Sequence, residues 1–164
     1  MKRPPGREPA YVPSAMFASS RVFSADDNKI QGEPPMPIMV CETAQRLGTH
    51  QRSAVAKSIT ESVHAVIGSD LNLISVVLHE LRQDQIWLAG HPSQDVLILC
   101  YIRAGRPLAL KTELALRVSA AWHHVVGTPE DAIEVAVIEA PAAQTVRGGK
   151  RLPEPPYATA NTAV

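Results

Sequence analysis

The sequence predicts an α+β fold in which two tandem β-α-β repeats form a four-stranded sheet with two helices on one face. Two observations carry this. The hydrophobic pattern of residues 37–90 recurs in residues 96–149, and Gly68, Glu80 and Gly90 recur as Gly127, Glu139 and Gly149 with identical gaps. Each copy also has the same internal order: a short apolar run, a helical stripe, a glycine and a second apolar run.

The runs "IMVC", "LISVVL", "VLILCYI" and "IEVAVI" are short and rich in β-branched residues, so each reads as a strand. Between the first two, Val55, Ile59, Val63, Val66 and Ile67 fall on one helix face, with Thr49 as the expected N-cap. Between the second two, Leu110, Leu114, Val118, Trp122 and Val125 make the same stripe. Gly68 and Gly127 stand where a left-handed helix stop is expected. A β-α-β crossover is right-handed and makes the two strands of each copy parallel. The run "VLILCYI" is apolar at nearly every position, so both sheet faces around it should be buried. Two helices cover one face, and sister subunits of a symmetric oligomer are the simplest cover for the other.

Composition narrows the function. The chain has 164 residues, 45% of them hydrophobic, and sixteen basic residues balance sixteen acidic ones. That balance supplies no general pull toward nucleic acid or membrane, so neither is an expected partner. No apolar run approaches the roughly 20 residues of a membrane helix, and no secretory h-region opens the chain, so a cytoplasmic location is expected. Cys41 and Cys100 each lie inside an apolar run and read as buried thiols rather than a disulfide or metal pair. The proline-rich residues 1–36 show no sustained period and read as a disordered extension; Glu8, Asp26, Asp27 and Glu33 argue against a transit peptide. Residues 37–152 form the expected domain, and residues 153–164 a disordered tail.

The candidate chemistry lies at two places. Arg103 and Arg106, in "YIRAGRPLAL", follow the third strand and precede the second helix. Carboxyl ends of strands and helix N-termini favour anions, and two guanidinium groups there can clamp a carboxylate. A solvated basic turn is the plainer reading of the same spacing. Pro37 opens the first strand directly after Met36. Within a chain it is a strand-opening proline without chemistry. If translation starts at Met36, removal of the methionine leaves Pro37 with a free secondary amine. In a bacterial gene, Gln31-Gly32-Glu33 can be encoded by CAAGGAGAA, which holds a ribosome-binding AGGAG just ahead of the Met36 codon. The histidines form no metal-ligand spacing: His123 and His124 are adjacent, and His50, His79 and His91 are scattered. No GxGxxG, P-loop or GxSxG occurs, and no cofactor is expected.

A proline opening a β-α-β unit that is doubled in one chain resembles the tautomerase superfamily, in the branch of cis-3-chloroacrylic acid dehalogenase, with its 4-oxalocrotonate tautomerase/MIF-type fold. The segments that carry the resemblance are "PIMV…QRL", "AVAKSIT", "HEL…WLAG", "IRAGR" and "APAAQTV…G…LP", spanning residues 37–153. The family works with an N-terminal proline beside paired arginines that bind carboxylate. The resemblance therefore implies Pro37 as the proton-transfer group, Arg103 and Arg106 as the substrate clamp, and a homotrimer. An apolar pocket and nearby arginines would both disfavour the ammonium form of the proline amine.

The departures also carry meaning. The dehalogenase's first-helix histidine falls at Val63, with His64 one residue, or about 100° of helix, away. Its tyrosine falls at Ala136, and its water-activating glutamate at Arg147. A cation at that position removes the means of activating water. The set that survives suits keto–enol tautomerisation of a small 2-oxo or unsaturated carboxylate. Arg147 is a candidate third positive charge, and Trp87 is a candidate apolar wall, a core residue or a subunit contact. A hydratase or weak dehalogenase of 3-haloacrylate-like acids is one alternative. A non-catalytic pseudoenzyme or ferredoxin-like ligand-binding module is the other, should residues 1–36 be retained.

Overall fold

A computed structural model describes residues 37–153. The expectations for residues 1–36 and for the tail beyond Pro153 lie outside the described residues. Strand β1 (Ile38–Thr43) leads through helix α1 (Thr49–Ile67) to β2 (Ser75–Glu80), and a small hairpin of β3 (Trp87–Leu88) and β4 (His91–Pro92) follows. The second copy runs β5 (Val96–Arg103), α2 (Leu108–Val126), β6 (Ile133–Ala140) and a hairpin of β7 (Val146–Arg147) and β8 (Lys150–Arg151). The main sheet has the order β2-β1-β5-β6. Within each copy the two strands are parallel, and β1 and β5 join the copies antiparallel. This is the predicted four-stranded architecture, with both helices on one face.

The repeat is also a symmetry. Exchanging each residue with its counterpart 59 positions away leaves the strand register unchanged: Ile38 faces Tyr101, and Leu97 faces Glu42. Likewise Ile38 pairs with Ser75 and Leu97 with Glu134. A pseudo-twofold axis therefore passes between β1 and β5, and each corner of the molecule has a counterpart at the opposite end.

The core lies between the sheet and the helices. Met39 and Cys41 of β1 and Val96, Ile98, Cys100 and Ile102 of β5 face Val55, Ile59, Val63 and Ile67 of α1 and Leu114, Val118 and Trp122 of α2, all of them buried. These are the predicted helix stripes, with Val66, Leu110 and Val125 half-buried at their margins. Cys41 and Cys100 are free, and burial is the main cause that pushes each thiol up to about 12, so both are inert at neutral pH.

Two boundaries differ from the sequence expectation. The N-cap of α1 is Gly48, and Thr49 is the first helical residue. The side chain of Gln51 reaches back, its Oε1 accepting the Gly48 N–H at 3.1 Å, so no capping hydroxyl is needed. Strand β2 starts later than "LISVVL" suggests, because Leu71–Leu73 form a 3-10 turn whose first amides are served by Asp70. The glycine stops hold: Gly68 and Gly127 have φ of 69° and 84°.

Among the described residues, nothing covers the sheet face away from the helices. Leu97, Leu99 and Tyr101 are half-buried there, and Ile38 and Ile138 are more than a third exposed. Within one chain, burial of β5 is complete on one face only. Among the described residues, no helix is long and apolar enough to cross a membrane.

Candidate active site

Pro37 precedes β1 and is buried, and its carbonyl accepts the Ser75 N–H at 3.0 Å. Continuing the β1–β5 register by one residue sets Pro37 opposite Ile102, so Arg103 is the next residue along the neighbouring strand. The fold thus brings together two segments far apart in sequence. Arg103 and Arg106 are 1% and 3% exposed. The Arg103 Nη1 donates to the carbonyl of Pro153, and the Arg106 Nη1 donates to the carbonyl of Arg103 at 2.9 Å. Both expected clamp residues lie at the Pro37 end of the sheet, and neither forms a solvated turn.

Burying guanidinium groups is costly, so it matters whether the fold requires them. The pseudo-twofold counterparts of Arg103 and Arg106 are Ala44 and Leu47, each 4% exposed. The same turn at the other end of the sheet is thus built from two apolar side chains. The counterpart of Pro37 is Val96, a fully buried core residue. The two corners thus differ in charge: one buries two arginines where the other buries two apolar side chains.

The turn between the arginines is held by Glu139. Its Oε1 accepts the Gly105 N–H at 3.1 Å, and its Oε2 accepts from the Lys111 Nζ at 2.8 Å. Gly105 has φ of 96°, a left-handed value that favours glycine. Burial pushes the Glu139 carboxyl up, but the Lys111 ammonium and the Gly105 and Arg106 amides outweigh it, leaving the group below its ordinary value. Glu80 does the same work at the counterpart turn, accepting from Arg52. Sequence reasoning saw Glu80 and Glu139 only as matched positions of the repeat; that match was the available signal for their common role.

A depressed carboxyl stabilises the fold above the unfolded value, near 4.3, and that contribution disappears as pH falls through the lower folded value. In urea unfolding, Glu139→Gln is therefore less stable than the parent at pH 7, and the gap narrows below pH 4. An equal gap at both pH values would mean that the charge of Glu139 contributes nothing.

The remaining candidates are more dispersed. Val63 is fully buried in the core. His64 is exposed at the end of α1, where its Nδ1 lies 2.8 Å from the Ser69 carbonyl. Its counterpart His123 makes the same bond to the Thr128 carbonyl at 2.7 Å, so this position ties a helix end in both repeats. Ala136 is half-buried on the uncovered sheet face. Arg147 is exposed on β7, at the same end of the sheet as Arg103. Trp87 is 58% exposed on β3, and its Nε1 donates to the Asp84 carbonyl. It follows the far end of β2, about 20 Å of strand from Pro37.

The sequence matches no protein-family model and no curated protein. Its structure is similar to several solved ones. N1, a member of the cis-3-chloroacrylic acid dehalogenase family, is 27% identical with a TM-score of 0.69, over 76% of this chain and 89% of that one. Native Ps01740 is 28% identical with a TM-score of 0.65, over 68% of this chain and 100% of that one. The F6 fused 4-OT, described as an asymmetric trimer, is 21% identical with a TM-score of 0.68, over 77% and 100% of the two chains, a likeness of fold.

Proposed function

We propose that this chain, which belongs to the tautomerase superfamily, is an enzyme that moves a proton on a small 2-oxo or unsaturated carboxylate. Arg103 and Arg106 bind the carboxylate, and Pro37, freed as the N-terminal residue by removal of Met36, shuttles the proton between oxygen and carbon. The observation that carries this reading is the asymmetry of the two corners. One end of the sheet buries Pro37, Arg103 and Arg106 where the other buries Val96, Ala44 and Leu47. A pair of buried cations that is absent from the counterpart corner, at the same sheet end as the proline that opens β1, fits a carboxylate clamp next to a secondary-amine base. The guanidinium groups and the apolar surroundings both favour the neutral amine.

Turnover of phenylpyruvate or 2-hydroxymuconate by protein made from its native gene tests the reading, together with N-terminal sequencing of that protein. Proline is expected in the first cycle, and Pro37→Ala is expected to lose about 10²–10⁴-fold in rate, the usual worth of a positioned base. Equal activity in Pro37→Ala would end the assignment. Release of halide from 3-haloacrylates is expected to be negligible, because Val63, Ala136 and Arg147 stand where water activation would need other groups.

The same reading includes a homotrimer whose sister sheets cover Val40, Leu97, Leu99 and Tyr101. The fused 4-OT of the same fold is described as a trimer. Light scattering should give three times the chain mass, and Leu99→Asp, which places a charge in the middle of that apolar face, should reduce it. A parent protein of single-chain mass would sink the trimer.

A further inference from the structure

The pseudo-twofold axis also shows how the pocket is made. At the corner opposite the candidate site, three side chains from both repeats form a buried plug. The Trp122 Nε1 donates to the Thr128 Oγ1 at 3.0 Å, and the Thr128 Oγ1 donates to the Gln45 Oε1 at 3.1 Å. Trp122 is fully buried and Thr128 is 3% exposed. Gln45 lies in the counterpart of the turn that carries the arginines, so this plug seals the space between the end of α2 and that turn.

The counterparts of Trp122, Thr128 and Gln45 are Val63, Ser69 and Ala104. Each is a truncation. The indole becomes an isopropyl group, the threonine loses its methyl, and the amide becomes a methyl group. Ala104 lies between Arg103 and Arg106. Ser69 is 2% exposed, and its Oγ has no hydrogen-bond partner among the described residues. A buried hydroxyl without a partner costs about 1–3 kcal/mol, and its counterpart Thr128 has two. The backbone around it is unchanged, since the His64–Ser69 and His123–Thr128 bonds match. What has gone is the plug.

We propose that Val63, Ser69 and Ala104 form the substrate subsite of the Pro37 corner: the two small side chains leave the room that Trp122 and Gln45 fill at the other end, and the Ser69 hydroxyl hydrogen-bonds the 2-oxo oxygen of a carboxylate held by Arg103 and Arg106. The proposal rests on the function proposed above and adds a second anchor to it. The carboxylate is fixed at one end by charge, and the adjacent carbonyl oxygen is fixed by a neutral donor. The pair selects 2-oxo acids over simple carboxylates. Position 63 then sets how much of the substrate's side chain fits.

Calorimetric titration of the full chain with phenylpyruvate and with 3-phenylpropionate, which keeps the ring and carboxylate but lacks the 2-oxo oxygen, tests this. The parent should prefer phenylpyruvate. Ser69→Ala should weaken phenylpyruvate binding about fivefold, the worth of one neutral hydrogen bond, and leave 3-phenylpropionate unchanged. Val63→Trp rebuilds the plug and gives Ser69 the donor that Thr128 has. It should weaken both acids at least tenfold while Tm stays level or rises, a pattern that damage to the fold would not produce. An unchanged preference in Ser69→Ala, or normal binding in Val63→Trp, overturns the proposal. So does a Val63→Trp chain that unfolds, because the corner would then hold no vacated room. A parent that binds neither acid removes the subsite and the arginine clamp together. Undiminished turnover in Pro37→Ala removes only the base, and the preference measured with Ser69→Ala still decides the subsite.

Discussion

The double replacement Arg103→Ala, Arg106→Leu should give a folded protein that has lost its carboxylate site. It installs at one corner the residues that already build the other, Ala44 and Leu47. Exchanging buried charge for apolar side chains of fitting shape is often neutral, or stabilising by about 1–4 kcal/mol. The Arg103 and Arg106 hydrogen bonds to the Pro153 and Arg103 carbonyls are lost, which offsets part of any gain. On activity the change is large. Two charge-assisted hydrogen bonds to a carboxylate, each worth about 1.5–3 kcal/mol, correspond to a fall of roughly 10²–10⁴ in kcat/KM. Urea unfolding and steady-state turnover on the same preparation separate the two effects. A variant destabilised by several kcal/mol with its turnover intact would make the arginines structural.

This outcome turns on which features of the chain are local. The strands, both helix stripes and the glycine stops were legible because each is a short-range pattern, and the doubling of "VSAAWHHVVG" against the first helix made each stripe a check on the other. The candidate site was legible in part. Pro37 and the arginine pair announced themselves by position, but their meeting depends on β1 lying antiparallel to β5, a pairing that no local pattern specifies. The N-cap is Gly48, one residue before Thr49, because the side chain three positions after that glycine, Gln51, takes over the capping. His64 stands one residue from the position of the family's first-helix histidine, and its bond to the Ser69 carbonyl repeats at His123, a helix-end contact that only the paired repeats reveal. The plug was the least visible feature. Gln45 and Thr128 lie in different repeats and touch only through the pseudo-twofold arrangement. Once that arrangement is known, aligning the chain with itself is the most informative comparison it offers.

Trp122→Ala should be the most destabilising single truncation in the molecule. Among the described residues Trp122, on α2, is the largest fully buried side chain; it belongs to the core between the helices and the sheet, and it donates the first bond of the plug. Loss of a buried tryptophan typically costs about 3–5 kcal/mol through lost transfer energy and the cavity left behind. Chain concentration must be fixed in the measurement, because an oligomer's stability depends on it. Trp122→Phe separates the two contributions. It retains most of the packing but removes the Nε1 donor, while the Thr128 hydroxyl keeps its bond to Gln45, so the expected loss is about 1 kcal/mol beyond the packing change. Neither variant should alter the preference for phenylpyruvate over 3-phenylpropionate in protein that remains folded, since the plug lies at the opposite end of the sheet from Pro37. A cost below 1 kcal/mol for Trp122→Ala would mean that the plug contributes little to the fold. Its absence at Val63, Ser69 and Ala104 would then need no functional explanation. A cost in the expected range means that the first repeat gave up a comparable stabilisation at the corner that holds the arginines, which is the trade expected where a core position has been converted into a binding site.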